Sequence, residues 1–378
     1  MEKESLIHFL KRTLSYILVA AIASAVTWGA ATMLPNSKLE RLSQVITNRY
    51  IGGAEKTAIE DQAAHAMVAA TGDRWSYYIP ASQYQAHVRS QNNEYVGIGV
   101  TIQNCGEGIL ILEVNPDGPA AKAGIQPGDI VTHGDGTFLG DLTMEEIRGI
   151  IMGQPNTQVV LTVLRGTQTM EIPVTRKGIH MVAAEGLMLD GNIGYVYIRK
   201  FSDKAGSETI AEVEKLLEQG AEKLIFDVRS NPGGFVSELV TLLDYLLPEG
   251  SLFCSVSYSG REEVETSGPD CLEMPMAVLI NGNSYSAAEL FAAVLSEYDW
   301  AVTVGEPTTG KAHYQTTIML GDGSAVKLST GAYTTPKGVN LTEAGGLKPD
   351  VAVPLTETPA SVQEDPQIRA AIEALTGE

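Results

Sequence analysis

Cysteine is scarce: three residues in 378, at positions 105, 254 and 271, with no CxxC pair and no Cys/His spacing. That excludes a structural zinc module and a disulfide-dense mini-protein. Basic charge is also short, with 26 Lys and Arg against 46 Asp and Glu, a formal net charge of −20. So acidic a chain lacks the clustered cations that replace counterions on a nucleic-acid backbone, and no nucleic-acid partner is expected. The six histidines (8, 65, 87, 133, 180 and 313) form no HExxH or similar ligand pair. Zinc catalysis is therefore disfavoured, and no metal or cofactor is expected. No GxSxG elbow occurs, which weakens the α/β-hydrolase plan.

What remains is an ordinary globular composition, 44% apolar and 19% charged, long enough for two or three domains that each bury a core. One long apolar run stands out. Leu14 to Leu34 carries no charged residue across 21 positions. As a helix it would be roughly 31 Å long, enough to cross a hydrocarbon core. Lys11 and Arg12 abut its start and favour leaving that end in the cytoplasm. A cleavable signal peptide is the rival, with Ala23-Ser24-Ala25 as its small-residue site; the run exceeds a usual signal core. Either way, residues 36–378 should lie outside the cytoplasm. The expectation is a single-pass cell-membrane protein with its body extracytoplasmic, or a secreted one after cleavage.

Beyond the anchor (1–35), the chain reads as an N-terminal helical region (36–93), a small β-rich domain (94–178), an α/β core (179–356) and a helical tail (357–378). In the first, Leu39, Leu42, Val45 and Ile46 recur at helical spacing, and an aromatic loop follows through Trp75, Tyr77 and Tyr78. In the second, short apolar runs (Val96–Ile102, Ile109–Val114, Gln158–Leu164, Thr169–Val174) alternate with Gly, Pro, Asn and Asp turns. Helix candidates there are Ala120–Ala123 and Met144–Met152. From residue 186 strands and helices alternate, as in a βαβ-type sheet with covering helices. Cys254 and Cys271 flank a hairpin-like stretch and could pair outside the cell, or remain small buried hydrophobes. Helical ends at 38–71 and Pro366–Leu375 could support a homo-oligomer.

Chemistry gathers where strands hand over to helices. In Leu279-Ile280-Asn281-Gly282-Asn283-Ser284-Tyr285-Ser286-Ala287-Ala288-Glu289 a buried strand ends and a helix begins at Ser286. A serine there stands beside free helix N–H groups that favour a developing oxyanion, yet Ser286 to Glu289 also fits a capping box. Lys311 follows 25 residues later in a Gly/Thr loop. Buried, it could serve as a general base; exposed, it is a solvated lysine. Gln315 would share its strand face and could orient it. In Phe226-Asp227-Val228-Arg229-Ser230-Asn231-Pro232-Gly233-Gly234 two glycines can turn backbone N–H groups into a cleft. A Ser286–His313–Asp227 triad can also be drawn, with His313 and Lys311 on one strand face only if the loop stays extended.

The assembly of Asp227–Gly234, Asn281–Glu289 and Gly305–Gln315 resembles the C-terminal processing protease family, the tail-specific serine peptidases. The resemblance runs from about Leu39 to the end and includes Gly97-Ile98-Gly99-Val100 and Pro119–Asp129. It implies a PDZ domain inserted before a protease core with a Ser–Lys pair: Ser286 as nucleophile, Lys311 as general base and Gln315 in support. The amides of Ala287 and of Gly233 or Gly234 would form the oxyanion hole. Gly97, Ile98, Gly99 and Val100 would hold a peptide's C-terminal carboxylate, and the next strand edge would add the peptide as a strand. Partners would then be proteins or peptides with free C-terminal tails, and the membrane through the N-terminal helix. Asn283 and Tyr285 depart from the family's run of small residues around the serine, and Ala312-His313 from the small residue after the lysine. The implied function is a membrane-anchored serine endopeptidase. A non-catalytic PDZ adaptor on an inactive scaffold is the alternative.

Overall fold

The sheet that carries the site is built from strands whose two faces are both apolar, so it needs cover on each side. In the computed structural model, residues 37–355, 359 and 361–377 are described, together with positions 8, 13, 16, 17 and 19. The expected anchor, Leu14–Leu34, otherwise lies outside the described residues. Among those described, no helix is long and apolar enough to cross a membrane. The chain divides into two compact units, residues 1–80 and 81–378.

In the first unit, helix α1 (Lys38–Arg49) starts where the Ser37 hydroxyl accepts from Glu40 N at 3.1 Å, and α2 (Lys56–Ala69) follows. The aromatic stretch holds a short strand, β1 (Tyr77–Ile79), where a loop was expected. Tyr78 donates to Asp61 of α2 at 2.7 Å, and its ring meets His65 edge-on at 5.2 Å.

The second unit opens with α3 (Ala81–Gln91), which the sequence groups with the helices before it. Strand β2 (Glu94–Gly97) and β3 (Val100–Asn104) replace the single strand expected over Val96–Ile102. The break falls at Gly99, whose φ of +79° turns the chain in a way side chains resist. Then come β4 (Ile109–Val114), α4 (Pro119–Lys122), β5 (Ile130–Gly134), β6 (Thr137–Phe138) and α5 (Met144–Ile151). The β-rich domain closes with β7 (Gln158–Arg165), β8 (Gln168–Thr175) and β9 (Lys177–His180). Its sheet runs β3-β4-β5-β7-β8 with β6 beside β5, leaving β3 at one edge. Antiparallel pairing of β2 with β9 ties the entry and exit of this domain together. Buried Arg176 donates to Ile150 O and Ile151 O at 2.7 and 2.9 Å, closing the carbonyl end of α5.

The α/β core follows: β10 (Ala184–Leu189), β11 (Ile193–Ile198), α6 (Ala205–Glu218), β12 (Lys223–Asp227), α7 (Val236–Leu246), β13 (Gly250–Ser257) and β14 (Glu262–Ser267). It continues with β15 (Met276–Ile280), α8 (Ala287–Glu297), β16 (Ala301–Gly305), β17 (His313–Met319) and β18 (Ala325–Thr334). Short α9 (Leu341–Ala344), β19 (Val351–Ala352) and α10 (Pro366–Thr376) end it. The main sheet is ordered β10-β11-β12-β15-β16-β19, parallel except for the β10–β11 pair. Leu224, Phe226, Val278 and Ile280 pack with α6, α7 and α8 on one face. Ile225, Ala277 and Leu279 pack with Ile368 and Ala371 of α10 on the other. The side-chain alternation of a strand thus divides two cores.

All three cysteines are free. Cys254 lies within β13 opposite Val264 and Thr334, whereas Cys271 is exposed beyond the end of β14, so the considered pairing does not occur.

Phe291 anchors α8 to the sheet, with ring centroids 5.5 Å from Phe226 and 5.9 Å from Phe201. Phe291→Ala should cost about 3–5 kcal/mol, read as a lowered denaturation midpoint with little change in slope. An unchanged midpoint would mean that α8 does not depend on this core.

Candidate active site

Parallel strands β12, β15 and β16 end side by side, and the loops that follow are the natural place for a site in such a sheet. Three of these loops are the segments singled out in the sequence, and they are bolted together. Ser284, fully buried, donates to Val228 O at 2.7 Å and accepts from Asn281 N at 3.0 Å. Tyr285 N donates to Asn231 O at 3.2 Å, and Thr309 N to Ser284 O at 3.1 Å.

Ser286 starts α8 with φ +61° and ψ −125°, a strained backbone for a residue with a side chain. What holds it is Glu289, fully buried one turn on. Its Oε2 accepts from Ser286 N at 2.9 Å and from Lys311 N at 2.8 Å. Its Oε1 accepts from Thr308 Oγ1 and Gly310 N, both at 2.5 Å. One carboxylate therefore bridges the backbones of the serine and the lysine. In sequence Glu289 reads as half of a capping box, and its second task is invisible there.

Lys311 is 7% exposed, not a solvated surface lysine, and its Nζ lies 5.4 Å from the centroid of the Tyr285 ring. Tyr333 was not anticipated. Its hydroxyl donates to Lys311 O at 2.5 Å. Burial pushes the phenol well above its ordinary value, the Glu289 carboxylate adds to this, and a hydrogen bond with Ser286 draws it partly back. Tyr333 thus stays protonated at neutral pH, its one proton given to Lys311 O. Alternation along β18 does not single it out, because Lys327, Ser329 and Gly331 share its strand face. Gln315 lies on β17, with Nε2 donating to His313 O at 2.8 Å and 3.5 Å from Ser329 Oγ. Its amide nitrogen is committed along the strands, which leaves Oε1 as the group able to meet a lysine.

The glycine pair divides its work. A Cβ on Gly233 would come within 2.8 Å of Ser286 Cβ and 2.9 Å of Ala287 N, so the loop lies directly against Ser286. However, Gly233 N already donates to Asn231 Oδ1 at 2.8 Å. Phe201 bonds to Gly233 O and Phe235 N on either side, which turns the N–H of Gly234 away from Phe201. Ala287 N, first in α8, has no intrahelical acceptor. Asp227 is taken by Arg229 and by Tyr195, whose hydroxyl donates at 2.7 Å, so it is not poised for the Ser286–His313–Asp227 triad. Arg229 continues to Asp365 at 2.7 Å and Gln367 at 2.8 Å, tying the glycine loop to α10.

In the β-rich domain, Gly97 ends β2 and Val100 begins β3. Ile98 O accepts from Ala120 N and Gly99 O from Asn115 N, at 2.9 and 3.0 Å, which pins the connecting loop. The Ile98 side chain is buried in the domain core. Val100 and Ile102 on the edge strand, and Met144 and Ile150 on α5, stay half-buried. Among the described residues no cluster of His, Cys, Asp and Glu could hold a metal ion.

Comparison with known proteins now identifies the parts. Residues 192–353 match peptidase family S41 and residues 110–165 match the PDZ domain. The chain carries an S41 peptidase domain. Ser286, Lys311, Gln315, Ala287, Gly233 and Gly234 all fall within it. A probable CtpA-like serine protease of Staphylococcus epidermidis (strain ATCC 12228 / FDA PCI 1200) is 30% identical over 320 residues, 84% of this chain and 65% of that protein. One from Staphylococcus aureus (strain COL) is 28% identical over 321 residues, 84% and 64% respectively. The chain thus spans a little under two thirds of the length of these curated relatives. Among solved structures, the photosystem II D1 C-terminal processing protease superposes with a TM-score of 0.51 at 24% identity. It covers 89% of this chain and 91% of its own, which establishes a shared fold. The resemblance to the C-terminal processing proteases stands, as an S41 domain preceded by a PDZ domain.

Glu289→Gln replaces a carboxylate oxygen that accepts two backbone N–H groups with an amide nitrogen that can accept neither. It should destabilise the S41 domain by about 2–4 kcal/mol by chemical denaturation. Glu289→Asp, which keeps the charge, should recover part of this. If Gln were as stable as the parent, the bridge would be of no structural consequence.

Proposed function

We propose that this protein is a membrane-anchored, extracytoplasmic serine endopeptidase that takes C-terminal protein tails through its PDZ domain and cuts them with a Ser286–Lys311 pair. The observation that carries the reading is the Glu289 carboxylate, which fixes both backbones through one oxygen while Lys311 is buried. Burial is the condition under which a lysine can serve as a general base near neutral pH. An adaptor would need neither the buried lysine nor the strained serine.

Neutral Lys311 takes the Ser286 hydroxyl proton as Oγ attacks the scissile carbonyl carbon. The oxyanion is met by the N–H groups of Ala287 and Gly234, with Gly233 shaping the wall and Gln315 supporting the lysine through its oxygen. Lys311 then returns the proton to the departing amine, leaving an acyl-serine that water hydrolyses by the same route in reverse. The tail would pair with the β3 edge, its carboxylate at Gly97–Val100 and its apolar end between Val100, Ile102, Met144 and Ile150. Anchoring rests on the uncharged run Leu14–Leu34.

Incubating the full chain with unfolded casein tests this. The parent should cleave, and Ser286→Ala and Lys311→Ala should each lose at least about 1,000-fold in rate. Amidating the C-terminus of a peptide substrate should raise KM more than it lowers kcat. Equal cleavage by Ser286→Ala would refute the nucleophile, and tail binding without any cleavage would favour the adaptor.

A further inference from the structure

The residue before the nucleophile is a half-buried tyrosine, and the Lys311 ammonium nitrogen sits 5.4 Å from the centroid of its ring. That distance is within the roughly 6 Å over which a ring face attracts a cation. Two opposing effects of an aromatic ring on a neighbouring lysine can be separated by sign. As an apolar wall, the ring excludes water and favours the neutral amine. As a quadrupole facing the nitrogen, it favours the ammonium.

Other groups face Lys311 from the packed elements. Strand β18 brings the Tyr333 hydroxyl, and α8 brings the Glu289 carboxylate and Ser286. The neighbouring α9 contributes uncharged Thr342, which accepts from Ala312 N at 2.8 Å, with Glu343 exposed. His313 follows two positions along the chain, at the start of β17. Of the charged partners, Glu289 directs both oxygens at backbone and hydroxyl donors. The Tyr285 ring lies within cation–π distance of the ammonium nitrogen.

We propose that Tyr285 is a positioning residue which, through its ring face, holds Lys311 over the nucleophile turn and raises the pH at which the lysine becomes a base. The inference rests on Lys311 serving as that base, and its test separates the two claims. The Tyr285 carbonyl and nitrogen belong to the loop that shapes the glycine wall, so replacements should keep side-chain bulk.

The direct measurement is a pH titration of the full chain with its lysines ¹³Cε-labelled, the Lys311 signal identified by its loss in Lys311→Arg. Tyr285→Phe, which keeps the ring, should leave the midpoint within about 0.3 unit of the parent. Tyr285→Leu, which keeps an apolar wall without the quadrupole, should lower it by about one unit. The acidic limb of kcat/KM against pH should move in parallel, with Tyr285→Leu active at lower pH. If Leu leaves the midpoint unchanged or raises it, the ring acts only as a wall and the proposal is overturned. Should the midpoint fall while the kinetic limb stays fixed, the ring effect holds, and Lys311 is not the base that limits catalysis.

Discussion

A buried carboxylate with four donors organises the site. Glu289 sits where a new helix begins, and each donor comes from a segment that must be in place for chemistry: the serine turn, the lysine loop and the threonine ahead of it. Burying such a charge is costly unless every lone pair is met, so the loops around it have little freedom to part. The strained backbone of Ser286 is tolerable for the same reason.

Around that centre the fold supplies rigidity from two directions. Below it, β12, β15 and β16 end together because their two apolar faces are covered by α6, α7 and α8 on one side and α10 on the other. Beside it, Arg229 is clamped between Asp227 and Asp365. Burial works against its charge, yet the bonds to the two carboxylates outweigh this and hold it protonated above its ordinary value. The glycine loop that faces Ser286 is thereby tied to the C-terminal helix, far along the chain.

The PDZ domain follows a separate logic. Its sheet leaves β3 at an edge, and half-buried apolar side chains of β3 and α5 pack against the core there. Arg165 holds buried Asp129 bidentately, at 2.7 Å to each oxygen. Burial alone would raise that carboxyl; the bonds from Arg165 and Gln126 keep it below its usual value. The domain is a stable platform whose edge strand is open for pairing.

Much of this was legible in the sequence. Ile109–Val114, Met276–Ile280 and Ala287–Glu297 appear at the boundaries their patterns suggested, because apolar period and flanking turns are local properties. Ser286 and the glycine pair stood out because strand–turn–helix junctions are written locally too, and Lys311 because it follows a glycine in a loop after a strand. Other features depended on residues far apart. Tyr333 lies 47 positions beyond Ser286, and only the pairing of β17 with β18 brings its hydroxyl to Lys311. The same is true of the second role of Glu289, the commitment of Asp227 to Arg229 and Tyr195, and the approach of Lys311 to the Tyr285 ring. The sequence determined the elements and the chemical types, since periodicity, turns and reactive side chains are read residue by residue. Which donor faces which acceptor was decided by tertiary packing, because a buried charge is satisfied only by whatever the fold places beside it.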